Sequence, residues 1–339
     1  MTSDSAKKDS FKLSIIVPAY NEEQTLPLFI ETVSKILPTV TNDYEVIFAL
    51  DPSRDRSEEI IEEASRANPR IKLLRFSRRF GQPSAIWAGL YYSTGDAMIP
   101  MDCDMQDPPT LIPDMVREWQ KGYKVVIPQR RSRAGENFLK RAFAYTAYWF
   151  INKTASVPIP RNAGDFRLMD RVVVDELMRL HESHGFLRGL TSVVGFKTTL
   201  LPFDRQPRAG GKTKYMPVTG GIGIGFNGVL SFSNFLLNAI TATGIILSAL
   251  SVLTGVVLFF LKVYGLYNFT TGLATVGIIV LFLGGAQLLS LGIIGAYVSR
   301  IYDEVKMRPK FIVERSIGIR AMPGDGSNLN PEKNEKAAI

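Results

Sequence analysis

Cysteine and histidine are scarce in this sequence of 339 residues. The single cysteine, Cys103, excludes an intrachain disulfide framework and fits a reducing compartment. The two histidines, His181 and His184, have no third ligand near them in the sequence and therefore do not predict a zinc site. Residues 1–10 are polar and lack the apolar run of a signal peptide, so we do not expect the following residues to be exported.

Charged residues are absent from two long stretches of the C-terminal half. No Asp, Glu, Lys or Arg occurs from Tyr215 to Leu261, and none occurs from Val263 to Ser299. Roughly 20 apolar residues span a bilayer, whereas buried core helices seldom run so long without a charge. We therefore predict two transmembrane helices, Phe235–Leu261 and Leu273–Ser299, which form a helical hairpin around a short uncharged turn.

Basic residues flank the predicted hairpin on both sides: Arg205, Arg208, Lys212 and Lys214 precede it, and Arg300, Lys306, Arg308 and Lys310 follow it. Because basic residues concentrate on the cytoplasmic side of a membrane, both termini and the preceding domain are expected in the cytoplasm. The net charge of +8 does not distinguish a nucleic-acid partner from an anionic membrane or phosphorylated substrates.

The chain divides into five predicted segments. The C-terminal tail is rich in Gly, Pro, Asn and charge from about Gly318, which is typical of disorder. The segments are a flexible N-terminus at 1–10, a cytoplasmic domain at 11–215, a juxtamembrane segment at 216–234, the two helices at 235–299 and a cytoplasmic C-terminal segment at 300–339.

The cytoplasmic domain alternates short β-rich runs with helical patterns. The strand-like runs are Leu13–Val17, Glu45–Leu50, Ile71–Phe76 and Ala97–Met101, each followed by a helical pattern. This series predicts an α/β domain with a mainly parallel sheet, whose ligands bind at the carboxyl ends of the strands. No GxGxxG follows the first strand, so a dinucleotide-binding domain has no support.

Three carboxylates follow the fourth predicted strand within six residues. Asp102 and Asp104, with Gln106, offer the oxygen ligands that Mg²⁺ or Mn²⁺ prefers, completed by substrate phosphates. We predict that Asp104 and Gln106 reach the metal while Asp102 lies between metal and nucleotide. The alternative is an acidic turn in which Asp107 caps the next helix at Pro108.

Polar groups also follow the first two strands. Tyr20 could stack on a base while Asp51 accepts a hydrogen bond from a base or ribose, which suits a nucleotide better than a metal. Asn21 and Ser53 are interpreted as helix or turn caps rather than ligands.

These segments resemble family 2 glycosyltransferases of the GT-A fold, specifically polyisoprenyl-phosphate glycosyltransferases akin to dolichol-phosphate mannose synthase. The resemblance covers about residues 12–315, and bacterial members with two membrane spans match best. The segments that carry it are Ser14–Glu23, Ser77–Gly81, Asp102–Pro109, Gly164–Asp170, Arg208–Tyr215 and Gly295–Pro309.

The resemblance implies that Pro18, Tyr20, Glu22 and Asp51 hold the nucleotide, that Asp102 adjoins it, and that Asp104 and Gln106 bind the metal. Two positions depart from the family pattern. Leu50-Asp51-Pro52 stands where two consecutive acids and a glycine are usual, and Thr213 stands where serine is usual.

The Gly-rich segment Arg208–Tyr215 resembles a loop that closes over the pyrophosphate in these enzymes. We therefore predict that Arg208 and Lys214 neutralise the negative charge of the leaving group. Attachment of this segment to anionic lipid is the alternative, and we favour it for Lys212.

Basic and aromatic residues mix in Phe138–Ile151, a composition typical of a membrane interface. Lys140 and Arg141, together with Arg130 and Arg131, could guide a lipid phosphate to the donor sugar. A helix that merely lies on the membrane or packs in the core is the alternative. Arg188 is a further acceptor contact by resemblance.

Asp165 matches the position often assigned as the catalytic base in this fold. A phosphate monoester, however, has a second pKa near about 6 and is already nucleophilic at neutral pH. Asp165 is therefore expected to orient the acceptor or to stabilise positive charge at the anomeric carbon, with a purely structural acid as the alternative.

Together these features predict an inverting enzyme that transfers a sugar to a polyisoprenyl phosphate. The resemblance to two-span bacterial members implies UDP-glucose as the donor, undecaprenyl phosphate as the acceptor and a role in cell-envelope glycosylation. A processive polysaccharide synthase is disfavoured because the chain has neither the additional spans nor a Gln-x-x-Arg-Trp signature. A non-catalytic membrane scaffold is the rival from another class. We expect a bacterial inner-membrane homo-oligomer with no nucleic-acid partner.

Overall fold

The computed structural model describes residues 11–131, 163–180, 187–204, 235–264 and 273–319. Its strands are β1 (Lys12–Ala19), β2 (Asp43–Leu50), β3 (Ile71–Phe76), β4 (Ala97–Pro100), β5 (Val125–Arg130), β6 (Leu168–Asp170), β7 (Thr198–Phe203) and β8 (Val313–Ile317). Its helices are α1 (Leu26–Val40), α2 (Ser57–Ala67), α3 (Gln82–Tyr92), α4 (Ile112–Gln120), α5 (Arg171–Arg179), α6 (Leu187–Val193), α7 (Phe235–Val263) and α8 (Leu273–Val305).

The strands form one sheet in the order β7-β5-β6-β4-β1-β2-β3-β8. The pairs of β1 with β2 and β4, of β2 with β3, and of β5 with β7 are parallel. The other pairs, which involve β6 and β8, are antiparallel. The predicted α/β architecture with a mainly parallel sheet is therefore confirmed. Chain order reverses at β1, between β4 and β2, which is where open α/β sheets bind ligands.

The sheet core is apolar on both faces of the central strands. β1 and β2 are buried over almost their whole length, because helices cover both sides and leave no polar face. On one side Phe29 of α1 meets Phe48 edge to face. On the other, Gly89 lets α3 lie directly against β1, since a Cβ there would collide with the side chain of Ile16.

A buried charge cluster links three strands beneath this core. The carboxylate of Glu45 accepts hydrogen bonds from Ser14 Oγ (2.6 Å), Thr94 N (2.7 Å) and Lys72 Nζ (2.6 Å). Burial alone would raise the pKa of Glu45, but the hydrogen bonds from Lys72, Ser14 and Thr94 outweigh it and hold that pKa below its ordinary value. Glu45 is therefore ionised in the folded protein at neutral pH.

Glu45→Gln should destabilise the domain by about 2–3 kcal/mol at pH 7, because Lys72 loses its charged partner. A lowered folded pKa stabilises the protein above the unfolded pKa, and that contribution disappears as the pH falls through the folded pKa. Thermal unfolding from pH 7 to pH 3 should thus show the wild type and the variant converging at acid pH. Glu31→Gln, at an exposed pair with Lys35, should leave the melting temperature unchanged; a gap that persists at acid pH would contradict the account.

Helices occupy both predicted spans. α7 has 29 residues, and α8 has 33 and continues past the predicted end at Ser299 to Val305. Within the part of the chain that the structure describes, one segment is long and apolar enough to cross a bilayer: Phe282–Val305, of 24 residues and mean hydropathy 1.5. Membrane crossing by the first helix stays a prediction.

β8 is an element that the sequence did not predict. Segment 300–339 was predicted as a cytoplasmic end with disorder from about Gly318, and no strand was predicted in it. Val313–Ile317 adds an antiparallel edge strand to β3. Residues 320–339 lie outside the described residues, so the predicted disorder there stays a prediction.

Candidate active site

The predicted nucleotide and metal residues lie at one edge of the sheet. β1 and β2 end side by side, with Ala19 opposite Leu50, and β4 ends beside β1, with Pro100 opposite Ile16. Tyr20 and Asp51 follow the first two ends directly, and Asp102 follows Pro100 after one intervening residue. The parallel sheet thus brings together residues that are distant in the sequence, as the strand pattern predicted.

Four carboxylates converge on this edge. Burial, followed by repulsion from Asp107, Asp104 and Asp165, raises the pKa of Asp102 to about 7. The side-chain amide of Gln82 donates a hydrogen bond to Asp102 Oδ1 over 2.8 Å. Closely spaced carboxylates raise one another's pKa unless a cation neutralises them, so the electrostatics of this cluster favour a bound cation.

The turn after β4 orients the predicted metal ligands. Met105 has a positive φ of 63°, and the backbone N–H of Gln106 donates to Asp104 Oδ1 over 3.0 Å. No three His, Cys, Asp or Glu side chains among the described residues form a complete metal-ligand group. The oxygen donors of Asp104, Gln106 and Asp102 are of the kind that a hard divalent ion such as Mg²⁺ accepts, with phosphate and water completing its coordination.

The predicted nucleotide residues line the other side of the same edge. Pro18 is buried at the end of β1, while Tyr20 and Glu22 are half-buried. The guanidinium of Arg79 lies 4.2 Å from the centre of the Tyr20 ring. The guanidinium lies over the ring, as in a cation–π contact, and stacking of Tyr20 on a nucleotide base stays a prediction.

Asn21 and Ser53 join the loops after β1 and β2. The backbone N–H of Asn21 donates to Ser53 Oγ over 3.0 Å, and the N–H of Arg54 donates to Asn21 Oδ1 over 2.8 Å. Asn21 also has a positive φ of 50°, which asparagine tolerates better than most residues. Their interpretation as turn residues is confirmed.

Asp51 holds the loop at Ser77–Gly81. Its side chain is buried, Oδ1 accepts from Phe80 N (2.8 Å) and Oδ2 accepts from Gly81 N (2.9 Å). Gly81 has a φ of 88°, a conformation that favours glycine. The sequence motif at Ser77–Gly81 gave no role for this loop; the structure shows that it carries the amide groups that orient Asp51.

Asp165 forms a bidentate ion pair with Arg188. Nε of Arg188 lies 2.9 Å from Oδ1, and Nη2 lies 3.0 Å from Oδ2. Burial would raise the pKa of Asp165, but Arg188, assisted by Arg167, outweighs it and lowers that pKa. An ionised carboxylate that two arginines stabilise is a poor proton acceptor.

Arg167 is a buried cation behind Asp165 that sequence reasoning did not assign. It is 1% exposed, donates to Gly164 O over 2.7 Å and also contacts Thr191. Burial lowers the pKa of Arg167 to about 10, and the attraction of Asp165 opposes this shift. Its place directly before the apolar residues Leu168 and Met169 of β6 was the available signal, because a buried cation needs a partner.

Two of the predicted acceptor residues, Arg130 and Arg131, differ in their surroundings. Nη2 of Arg130 lies 3.8 Å from Asp107 Oδ1, next to the carboxylate cluster. Nη1 of Arg131 lies 3.7 Å from Asp204 Oδ2 on the exposed surface. Arg130 thus lies beside the carboxylate cluster and Arg131 lies on the exposed surface, and contact of either residue with a substrate phosphate stays a prediction. Lys140, Arg141, Arg208 and Lys214 lie outside the described residues, as do Lys212 and Thr213.

Comparison with known proteins decides the family. A family model described as glycosyl transferase family 2 matches residues 14–178. An uncharacterised glycosyltransferase, YkcC, of Bacillus subtilis is 41% identical over 306 residues, which are 90% of this chain and 94% of the relative. This chain belongs to glycosyltransferase family 2.

Other similar proteins carry more specific names. A prophage-derived bactoprenol glucosyl transferase of Shigella flexneri is 37% identical over 90% of this chain and 98% of its own length. Among solved structures, mannosyl-3-phosphoglycerate synthase of Rubrobacter xylanophilus aligns with a TM-score of 0.47 at 14% identity, over 65% of this chain and 72% of that one. Family membership, together with the strand order described above, makes the sheet domain of this family 2 transferase a GT-A fold.

Proposed function

We propose that this family 2 enzyme transfers a single sugar from a nucleotide-sugar to a polyisoprenyl phosphate. The observation that carries the proposal is the carboxylate cluster at the reversal point of the sheet, which two arginines adjoin: Arg130 through Asp107 and Arg188 through Asp165. The carboxylates suit a cation that binds the diphosphate of the donor, and the arginines suit the phosphate of the acceptor. The names of the bactoprenol glucosyl transferases among the relatives support a polyisoprenyl acceptor, for which we propose undecaprenyl phosphate, and glucose as the sugar. We propose UDP-glucose as its donor.

A divalent ion, Mg²⁺ or Mn²⁺, would be held by Asp104 and Gln106, with Asp102 adjacent. Such an ion would neutralise the charge that develops on the departing nucleoside diphosphate. Pro18, Tyr20, Glu22 and Asp51 bind the nucleotide in this proposal. Arg208 and Lys214 neutralise further negative charge on the leaving group in this proposal, as the resemblance of the segment Arg208–Tyr215 implies.

The acceptor half needs no proton-abstracting residue. An oxygen of the ionised lipid phosphate attacks the anomeric carbon, a new C–O bond forms, and the bond from that carbon to the diphosphate oxygen breaks. The electron pair leaves with the nucleoside diphosphate, so one displacement inverts the anomeric centre. Arg130 and Arg188 position the phosphate, Asp165 holds Arg188 in place, and Arg131, Lys140 and Arg141 guide the headgroup towards them.

The membrane setting follows from the helices and from the charge pattern. α8 runs through Phe282–Val305 into Lys306, Arg308 and Lys310, a basic cluster that favours a cytoplasmic end. We propose that α7 and α8 form a two-span hairpin in the bacterial inner membrane, with the catalytic domain and both termini in the cytoplasm. We also propose a homo-oligomer.

A donor panel tests the proposed reaction. Full-length protein in nanodiscs is incubated with UDP-, GDP- and amino-sugar nucleotides, undecaprenyl phosphate and Mg²⁺ or Mn²⁺, and nucleotide release and lipid products are measured. We expect UDP release from UDP-glucose that depends on both the lipid and the metal, with one sugar per lipid. Products with many sugars per lipid would indicate a processive synthase instead, and an absence of turnover with every donor would overturn the enzyme assignment.

A further inference from the structure

The residues after the membrane helix α8 return to the nucleotide side of the sheet. β8 runs antiparallel to β3, with Val313 opposite Phe76 and Ile317 opposite Leu73. The chain therefore enters the sheet at the carboxyl end of β3, immediately before the loop Ser77–Gly81. We call residues Lys306–Ile312, which connect α8 to β8, the connector.

The connector is packed tightly against the catalytic domain at its C-terminal end. Phe311 contacts three rings, those of Phe76, Tyr91 and Tyr92, with centroid distances of 6.3, 6.0 and 6.2 Å. Lys310 Nζ lies 4.0 Å from the centre of the Trp87 ring. Aromatic contacts of this kind stabilise beyond their buried area, so the connector is held rigidly to α3 and β3.

A charge network holds β8 to the helix on the same flank. Arg315 Nη2 lies 2.9 Å from Glu58 Oε1, and the same guanidinium also contacts Glu62 of α2. Arg75 of β3 bonds to Glu58 over 3.0 Å and contacts Glu314 of β8. Several charges arranged in a network stabilise a protein more than isolated surface ion pairs do. β8 and the C-terminal end of the connector are thus fixed to α2, β3 and α3 together.

The connector continues directly into the groups that hold Asp51. The backbone N–H of Ser77 donates to Ile312 O over 3.1 Å. Three residues later, Phe80 N and Gly81 N donate to the two carboxylate oxygens of Asp51. Phe80 also packs edge to face on Phe76, the ring that Phe311 contacts. A displacement of Phe311 would therefore move the loop and, with it, Asp51.

We propose that Phe311 is a positioning residue for the donor site, which couples the end of the membrane helix to the loop Ser77–Gly81 and so to Asp51. This inference rests on the proposed function, in that Asp51 belongs to the nucleotide site. In this proposal the ring of Phe311 sets the position of the backbone N–H groups of Phe80 and Gly81, and these two groups orient the carboxylate of Asp51. A donor bound by a misplaced carboxylate loses affinity while the reacting groups are left unchanged.

Hydrogen exchange and kinetics on the full-length protein in nanodiscs test this inference. In Phe311→Ala, exchange of peptides spanning Ser77–Gly81 should be about tenfold faster, since the loop loses its packing. The KM for the nucleotide-sugar should rise about fivefold, with kcat and the KM for the lipid within about twofold of wild type. Phe311→Tyr keeps the ring and should restore both values.

Ile317→Ala is the matched control, because Ile317 lies on the same strand but at its other end, opposite Leu73. It should lower the melting temperature without changing exchange at Ser77–Gly81 or the donor KM. Equal changes in both alanine variants, or unchanged exchange in Phe311→Ala, would overturn the coupling. If the wild type transfers sugar from no nucleotide-sugar, the proposed function fails, and the exchange result alone then decides the coupling.

Discussion

Asp104→Ala should reduce kcat for sugar transfer by at least about a hundredfold, because the site loses a carboxylate that holds the divalent ion against the leaving diphosphate. A metal at a developing negative charge contributes several kcal/mol to the transition state, and each 1.4 kcal/mol is about tenfold in rate. The measurement is UDP release in the presence of saturating undecaprenyl phosphate and Mn²⁺.

Asp114→Ala is the matched control for this change, because Asp114 is a partly exposed aspartate on α4 that pairs with its neighbour Arg117. It should retain wild-type activity. Mn²⁺ binding in the presence of UDP, followed by electron paramagnetic resonance, gives a readout that does not depend on turnover. Full activity or unchanged Mn²⁺ affinity in Asp104→Ala would show that Asp104 is not a metal ligand.

Asp165→Asn should lower kcat by only about ten- to thirtyfold, below the 10²–10⁴-fold range typical of a lost general base. The amide keeps the shape of the side chain, while Arg188 loses its charged partner and is held less firmly. Because Arg188 keeps the pKa of Asp165 below its ordinary value, the carboxylate is ionised throughout the neutral range. The pH–rate profiles of variant and wild type should therefore have the same shape from pH 7 to 8.5.

The control for this variant is Asp175→Asn, at an exposed position on α5. It should be kinetically silent. A loss above about a thousandfold in Asp165→Asn, together with the disappearance of an ionisation from the profile, would identify Asp165 as a proton-abstracting base after all.

Local sequence pattern was enough for the central sheet and for the position of the site. β1 to β4 fall on the predicted apolar runs, because a parallel strand covered on both faces reads as a continuous apolar stretch. Since the carboxyl ends of parallel strands lie at one edge of a sheet, the strand pattern alone predicted that the residues after β1, β2 and β4 lie close together. The long uncharged runs likewise predicted the helices α7 and α8.

Local sequence pattern did not predict the contacts between segments that are far apart in the sequence. β8 reads Val-Glu-Arg-Ser-Ile and has no strong strand signal; it becomes a strand because Arg315 and Glu314 find partners on α2 and β3 about 250 residues earlier in the chain. The ion pair between Arg188 and Asp165 was not predicted either, and the assignment of Arg188 to an acceptor phosphate stays a prediction. Such pairings depend on side-chain geometry, which spacing along the sequence does not encode.

The most direct test of the account compares two acceptors that differ by one phosphate. Full-length protein is incubated with radiolabelled UDP-glucose, Mn²⁺ and either undecaprenyl phosphate or undecaprenol, and the label in the extracted lipid is counted. The account predicts one labelled glucose per lipid with undecaprenyl phosphate and none with undecaprenol, because only an ionised phosphate can attack without a base. Equal labelling of undecaprenol, or glucose released to water at the same rate without any lipid, would contradict it.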